Sequence, residues 1–201
     1  YLDRIEAYDQ VGPSLNAIQQ INPAALEEAR ALDAAWSTDG PRGSLHCVPV
    51  LLKDQVETRD LPTTYGSAVF AGFQTGRDAT IVTRLREAGA IILAKTTMGE
   101  FASRYVGSGV GIIRNAYDPT RNPSGSSGGS GGGVAVNFGL VGIGEDTGGS
   151  IRGPAAVHSL VGLRPTVPLV SRYGMMPANP SSDTLGPMTR TVRDTALLLD
   201  V

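Results

Sequence analysis

A run rich in glycine and serine, residues 122–133, constrains the fold of this chain more than any other part of its sequence. Glycine makes up 26 of the 201 residues, about twice its usual share in globular proteins. Six of these glycines lie between Gly125 and Gly133. Such a segment can be a flexible linker, a loop that binds phosphate, or a turn that presents a nucleophile. The flanking sequences distinguish these alternatives.

Apolar segments with regular periodicity surround the run, which argues against a linker. An amphipathic helix predicted over 78–88 ends at Gly89, and a buried strand is predicted over 90–94. A second apolar strand is predicted over 45–52, whereas residues 107–127 have the Gly, Pro, Asn and Ser content of a long loop. Helix, glycine and buried strand in succession are typical of an α/β sheet. Further helices are predicted over 23–36, 127–138, 150–159 and 192–201, and a further strand over 140–145.

Charge and cysteine content exclude several classes of function. Lys and Arg number 17 against 19 Asp and Glu, so the net charge is −2 and no basic excess is available to attract nucleic acid or anionic lipid. The single Cys47 cannot form an internal disulfide, and two histidines, His46 and His158, are too few for a zinc cluster. The sequence has no signal-peptide pattern and no membrane-span pattern, so we expect a soluble, cytoplasmic protein.

Two specific interpretations of the run can be tested against its motifs. A phosphate loop would need Gly-Lys-Ser/Thr, or Gly-x-Gly-x-x-Gly opening a helix after a strand, and neither is present. Residues 125–129 do match Gly-x-Ser-x-Gly, the nucleophile turn of α/β hydrolases. That turn needs an apolar strand before it, but residues 116–121 are polar, and its histidine would have to be His158, close behind Asp146. The motif therefore remains an alternative.

Simple geometry predicts that two serine-bearing turns meet. A helix over 128–138 runs out about 16 Å, and a strand over 140–145 returns about 20 Å. Residues 147–150 (Thr-Gly-Gly-Ser) then lie close to Ser126. Each turn stands beside a helix N-terminus whose unpaired N–H groups suit an oxyanion. This arrangement is typical of an acyl-transfer pocket, and it still requires a base.

Lys53 is the candidate base. It follows six uncharged residues, 47–52, at the end of a predicted buried strand, where the sites of α/β proteins gather. Burial lowers the pKa of a lysine, and a neutral amine can accept a proton from a hydroxyl. The alternative is that Lys53 pairs with Asp54 or extends to the surface.

Several motifs together resemble, in order and spacing, the amidase signature family of amide hydrolases. They are VPVLLKD around Lys53, PSGSSGGSGGG, GEDTGGSIRGPAA, VGLRPT and DTLGPMTRTVRD. The resemblance covers nearly the whole chain, and the interval of 150 − 126 = 24 residues between two serines also fits. It implies a three-layer α/β/α fold with a mixed central sheet flanked by helices. Because family members are more than twice as long, we expect residues 1–201 to be a partial signature domain, with a signature core over about 45–200.

The resemblance also implies the site residues. Ser150 matches the nucleophile, Ser126 matches the serine that follows a cis peptide bond, here Gly125–Ser126, and Lys53 matches the neutral base. The implied oxyanion hole consists of the backbone N–H groups of Thr147, Gly148, Gly149 and Ser150, and the implied supporting residues are Gly125, Ser127, Asp146 and Arg152.

The implied reaction is hydrolysis of a carboxylic amide through an acyl-enzyme, with no metal or organic cofactor. Expected partners are a small-molecule or peptide amide substrate and, for assembly, a second copy in a homodimer. No membrane is expected, and nucleic acid is expected only if the amidotransferase alternative holds. Within the family, the rival is the glutaminase subunit of the tRNA-dependent amidotransferase. An esterase and an inactive binding fragment are further alternatives.

Two positions depart from the family pattern. Ser124 and Cys47 stand where glycine is common in the family. This difference affects the geometry of the local loops and not the three matched catalytic residues, Lys53, Ser126 and Ser150. Cys47 lies in an apolar run and is expected to be a buried, inert thiol. His46 and His158 are expected to be structural.

Overall fold

The computed structural model describes all 201 residues. The strands are β1 (Ile18–Ile21), β2 (Pro49–Lys53), β3 (Ile91–Thr96), β4 (Val106–Gly107), β5 (Gly111–Ile112), β6 (Val141–Asp146), β7 (Val161–Gly162) and β8 (Thr184–Thr189). Six of them form a mixed sheet in the order β1-β3-β2-β6-β8-β7, and β4 and β5 form a separate small antiparallel ribbon. The α-helices are α1 (Leu2–Tyr8), α2 (Ala25–Asp39), α3 (Thr80–Glu87), α4 (Gly128–Ala135), α5 (Arg152–Val157) and α6 (Val192–Leu199), and short 3-10 helices cover Ala68–Phe70 and Glu100–Ala102.

Three parallel strands form the centre of the sheet. β2 pairs in parallel with β3 on one side and with β6 on the other, and antiparallel β1, β8 and β7 extend the two edges. The carboxyl ends of β2, β3 and β6 therefore lie along one edge. They bring Lys53, Lys95 and Glu145 to that edge.

Two apolar cores, one on each face of the sheet, make the fold three-layered. Alternation along β2 sends Val50 and Leu52 to one core and Leu51 to the other. Helices α3 and α6 cover the first face, and α2 and α4 cover the second. This architecture confirms the expected α/β fold with a mixed sheet flanked by helices. The first core includes Val82, Leu85, Ile92, Ile143 and Leu198, and the second includes Ile5, Leu32, Leu93, Val134 and Phe138.

The predicted elements are present with shifted ends. The helix predicted from Pro23 begins at Ala25, because the Asn22 side chain accepts a hydrogen bond from Ala24 N at 2.9 Å and forms a turn first. The strand predicted over 45–52 is shorter and runs from Pro49 to Lys53. Strands β1, β7 and β8 are not predicted by the sequence patterns, and the predicted loop over 107–127 contains β5.

The prediction of a buried Cys47 is wrong. The residue is half-buried and precedes β2, and its φ of 60° lies in the left-handed region that favours glycine. Ser124, the other departure from the family pattern, has a similar φ of 58°. No helix in the structure combines the length and the apolar character needed to cross a membrane.

Candidate active site

Lys53 is fully buried at the end of β2 and points at Ser126. Its Nζ lies 2.7 Å from Ser126 Oγ, 2.9 Å from Glu145 Oε2 and 3.2 Å from the Glu145 carbonyl oxygen. The alternative that Lys53 pairs with Asp54 is wrong, because the Asp54 carboxylate accepts hydrogen bonds from Thr64 and from the N–H of Gly66. Lys53 also does not extend to the surface.

Burial sets the protonation chemistry of Lys53. Desolvation lowers the pKa of its ammonium below the ordinary value, against the opposing effects of Glu145, Asp146 and Asp183. An amine of lowered pKa in contact with a hydroxyl can act as a general base toward that hydroxyl.

The first turn, residues 124–127, is fixed by the backbone around it. The Gly125–Ser126 peptide bond is cis, as the resemblance implies. A Cβ at Gly125 would lie 1.6 Å from the carbonyl oxygen of Arg104, so only glycine fits there. The carbonyl of Ser126 accepts a hydrogen bond from Gly99 N at 3.1 Å. Residues 126–134 are buried, which excludes the flexible-linker interpretation.

The helix after the first turn, α4, packs directly against the sheet, because its glycines have no Cβ. A Cβ at Gly129 would lie 2.4 Å from the carbonyl oxygen of Thr97. Ser130, one residue further on, is close enough to share a hydrogen bond of 2.6 Å with Thr96 Oγ1. Ser127 Oγ donates to the carbonyl of Glu145 at 3.1 Å and accepts from its N–H at 3.3 Å. Ser127 thereby joins the first turn to the end of β6.

The second turn, residues 147–150, is organised by Asp146. One carboxylate oxygen accepts from Gly149 N at 2.7 Å, and the other accepts from Ile151 N at 3.0 Å. The Arg152 side chain donates to both oxygens, and Arg164 Nε lies 3.2 Å from Oδ1. Burial raises the pKa of Asp146, but these hydrogen bonds outweigh it, so the pKa lies below its ordinary value. Asp146 is therefore an ionised anchor for the turn.

Ser150 lies beside the first turn, and its carbonyl accepts from Ser127 N at 3.3 Å. The hydrogen bonds of the structure include none that joins the Ser150 hydroxyl to Ser126 or Lys53. A Cβ at Gly148 or Gly149 would meet nothing within 4 Å, so open space adjoins this turn. Four N–H groups are expected to bind an oxyanion. The N–H of Gly149 donates a hydrogen bond to Asp146, whereas the other three, of Thr147, Gly148 and Ser150, have no hydrogen-bond partner within the chain.

His158 is structural, as expected, because both ring nitrogens contact backbone groups. Nδ1 lies 2.9 Å from the carbonyl oxygen of Pro154, and Nε2 accepts from Ala116 N at 3.2 Å. Burial lowers the pKa of the ring. The alternative of a nucleophile turn served by this histidine is therefore wrong.

Sequence reasoning missed three groups at the site. They are the side chains of Glu145, Thr147 and Asp183, which are linked by hydrogen bonds of 2.8 and 2.6 Å. An acidic residue at the end of an apolar strand is a usable signal for Glu145. Asp183 has none, because the chain brings it to the site only through the pairing of β8 with β6.

Comparison with known proteins finds one family and one fold over the whole chain. The model of the family described as Amidase matches residues 1–201. The A subunit of the glutamyl-tRNA(Gln) amidotransferase from Acidothermus cellulolyticus is 46% identical over 201 residues, covering 98% of this chain and 39% of the relative. The structure of native peptide amidase from Stenotrophomonas maltophilia superposes with a TM-score of 0.96 at 44% identity, covering 99% of this chain and 42% of that one. The corresponding amidotransferase protein from Thermotoga maritima gives a TM-score of 0.87 at 34% identity, covering 100% and 41%. The chain thus spans about two fifths of the length of these proteins.

Proposed function

The chain belongs to the amidase family of hydrolases, and from that premise we propose that it carries the catalytic centre of a serine amidohydrolase that acts on linear amides. Lys53 is the base, Ser126 the proton shuttle and Ser150 the nucleophile. We further propose that residues 1–201 are part of an amidase signature domain, with its signature core over about 45–200.

One observation carries this proposal. The fully buried Lys53 Nζ lies 2.7 Å from the fully buried Ser126 Oγ. A lysine is rarely buried completely unless it is paired, and here a serine hydroxyl is one of its partners. This contact supports the proposal, because an amine of lowered pKa next to a hydroxyl can act as its base, and that hydroxyl belongs to a turn that contacts the Ser150 turn.

The proposed reaction balances its protons at each step. Lys53 accepts the Ser126 proton while Ser126 accepts the proton of Ser150, whose oxygen bonds to the amide carbonyl carbon. The relay then runs in reverse and protonates the leaving nitrogen as the C–N bond breaks. Water attacks the acyl-enzyme through the same relay, which releases the carboxylate and restores Ser150. Neither a metal nor an organic cofactor is required by these steps.

The developing oxyanion needs donors close to Ser150. We propose the unpartnered N–H groups of Thr147, Gly148 and Ser150. The N–H of Gly149 can join them only by leaving Asp146. Ser127, Asp146 and Arg152 hold the two turns, and Gly125 permits the close approach to the Arg104 carbonyl.

A second candidate is a glutaminase that passes ammonia to companion subunits. The observation that favours it is the 46% identity to a relative named as part of an amidotransferase. The two candidates share the same site, so they differ in substrate and partner and not in the proposed chemistry.

Active-site labelling tests the proposal directly. In the full-length protein, a fluorophosphonate should label Ser150, and Ser150→Ala should abolish labelling, because only an activated hydroxyl attacks the phosphorus. Ser127→Ala is the matched comparison. Its labelling should persist at Ser150 but become slower, because Ser127 holds the first turn through the Glu145 backbone and is not the proposed nucleophile. A peptide map that placed the adduct on Ser127 would contradict the assignment. Turnover of aliphatic, aromatic and peptide amides, and of glutamine with charged tRNA, then separates the two candidates.

A further inference from the structure

A chain of polar groups, buried except for the half-buried Thr147, continues from Lys53 away from Ser126. Lys53 Nζ lies 2.9 Å from Glu145 Oε2, and the other oxygen of the same carboxyl group, Oε1, lies 2.8 Å from Thr147 Oγ1. Thr147 Oγ1 lies in turn 2.6 Å from Asp183 Oδ1. The side chains of Lys53, Glu145 and Asp183 are all fully buried. The family match assigns no role to Glu145.

The hydroxyl of Thr147 cannot satisfy two ionised carboxylates. It has one hydrogen to donate, yet it lies within hydrogen-bond distance of carboxyl oxygens on both Glu145 and Asp183. If both carboxyl groups were ionised, one buried oxygen would face the lone pairs of Thr147 without a hydrogen between them. Such an arrangement is costly in a site of low dielectric constant. A hydrogen on one of the two carboxyl groups would remove this conflict.

The remaining contacts of Asp183 identify the protonated group. Its second oxygen, Oδ2, accepts hydrogen bonds from Ala178 N and Asn179 N, both at 2.8 Å. Backbone N–H donors favour the ionised form of a carboxyl group. If Thr147 donates its hydrogen to Asp183, the hydrogen between Glu145 Oε1 and Thr147 Oγ1 comes from Glu145.

The contacts of Lys53 show what a neutral Glu145 would do. Lys53 Nζ has three polar neighbours, the Ser126 hydroxyl and two oxygens of Glu145, one in the side chain and one in the backbone. A neutral amine has two N–H donors and one lone pair. If both hydrogens go to the two Glu145 oxygens, the lone pair is directed at Ser126. A protonated Glu145 accepts one of these hydrogens without supplying the negative charge that would hold Lys53 as an ammonium.

We propose that Glu145 is a protonated positioning residue, held neutral by Thr147 and Asp183, that directs the lone pair of Lys53 toward Ser126. The inference rests on the proposed function, because it assigns a purpose to the orientation of the Lys53 base.

The other ionisable groups near Lys53 and Glu145 have partners of their own. Asp146, the next residue, is paired with Arg152 and Arg164 and so needs no proton from this network. Tyr65 also lies near this network, and burial, the largest cause, raises its pKa to about 12. Tyr65 therefore stays neutral at physiological pH and donates to the carbonyl of Pro177.

Glu145→Gln and Glu145→Met in the full-length protein test the proposal, with the rate of fluorophosphonate labelling of Ser150 measured against pH. Glutamine copies the protonated acid, because its carbonyl can accept from Lys53 while its N–H donates to Thr147. The labelling rate should fall at low pH, where Lys53 becomes protonated, and we call this part of the profile the acid limb. We expect Glu145→Gln to leave the acid limb at the same pH and to label within about threefold of the wild-type rate, a change in activation free energy below about 1 kcal/mol. Methionine fills the space without accepting a hydrogen bond, and we expect labelling about 100-fold slower, as for a misoriented catalytic group.

Two results would overturn the assignment. If Glu145 were ionised, Glu145→Gln would remove a carboxylate next to Lys53 and move the acid limb to lower pH by about 1 to 3 units. Wild-type labelling by Glu145→Met would show that Glu145 does not orient the base. Thermal unfolding of both variants checks that they fold.

Infrared difference spectroscopy keeps the proposal testable if labelling fails for a different reason. The carbonyl stretch of a protonated carboxyl group should appear in wild type minus Glu145→Gln, and its absence would overturn the protonated state. A wild-type protein that shows this band but is neither labelled nor active would instead contradict the proposed function.

Discussion

Two fully buried lysines lie on neighbouring parallel strands, and they differ in what each one contacts. Lys53 ends β2 and touches Ser126 and Glu145. Lys95, in β3, pairs in register with Leu52 and donates to the carbonyl of Pro62 and to Thr63 Oγ1, both at 3.1 Å. Both lysines lie near the end of an apolar strand of similar composition.

Burial by itself therefore does not identify the base. Desolvation lowers the pKa of both ammonium groups, that of Lys95 to about 8. The difference lies in the partner. The hydroxyl next to Lys53 belongs to a turn that contacts the Ser150 turn. Lys95 instead holds the loop that contains Thr63, and the Asp54 carboxylate, 3.9 Å from Lys95 Nζ, holds the same loop. We infer that Lys53 serves the reaction and Lys95 serves the fold.

Replacing each lysine by methionine is the strongest way to break this comparison. We expect Lys53→Met to lower amide turnover or Ser150 labelling by about 10²- to 10⁴-fold, the usual contribution of a general base. Lys95→Met should stay within about tenfold, because its contacts lie in a loop and not at the serines. Steady-state kinetics of the two variants, side by side, give the measurement.

Equal losses in the two variants would remove the distinction between a catalytic and a structural lysine. Circular dichroism and thermal unfolding of both proteins serve as the control, so that a loss caused by misfolding is recognised. Turnover of Lys53→Met at the wild-type rate near neutral pH would rule out the lysine-base mechanism.

The stability of the protein at alkaline pH gives a smaller test of the same contrast. Below pH 8, Lys95 is charged in both the folded and unfolded states, so its burial opposes folding. Between about pH 8 and 10.5 the folded state loses this proton while the unfolded state keeps it, so the free energy of unfolding rises with pH. The lowered pKa of Lys95 corresponds to an increase on the order of 3 kcal/mol in the free energy of unfolding across this pH range.

Denaturant unfolding at several pH values checks this expectation. The difference between wild type and Lys95→Met should increase by that amount across the window, because methionine has no proton to lose. A constant difference would mean that Lys95 does not change its charge there. Lys53→Met is the matched control, since it removes the other buried lysine and leaves the Lys95 contribution in place.

The sequence allowed the central strands, the main helices and the meeting of the two serine turns to be predicted, because each depends on local periodicity or on a short connection. Residues 128–135 and 141–146 illustrate this, with observed ends within one to three residues of the predicted ones. The predicted location of Lys53 also agrees with the structure. Local patterns were sufficient at these positions.

Other features depend on contacts between distant residues and could not be predicted in this way. β8 contains Gly186 and Pro187, which are unfavourable in a typical strand, yet it pairs with β6 because both of its edges find partners. Asp183 reaches the site through that pairing. The apolar neighbours of Cys47 predict a strand position, whereas its positive φ is set by the turn before β2.

The smallest test compares the hydroxyl partners of the two lysines. Thr63→Val removes one acceptor of a buried ammonium, and we expect a loss of about 1 to 3 kcal/mol in the free energy of unfolding with turnover unchanged. Ser126→Ala removes the corresponding partner of Lys53. Turnover should then fall because the proposed proton relay is broken, independently of any change in the free energy of unfolding. Chemical denaturation and kinetics of both variants separate the two effects. A fall in turnover for Thr63→Val comparable to that for Ser126→Ala would assign Lys95 to the reaction, because a hydroxyl that only supports a loop cannot change the chemistry at Ser150.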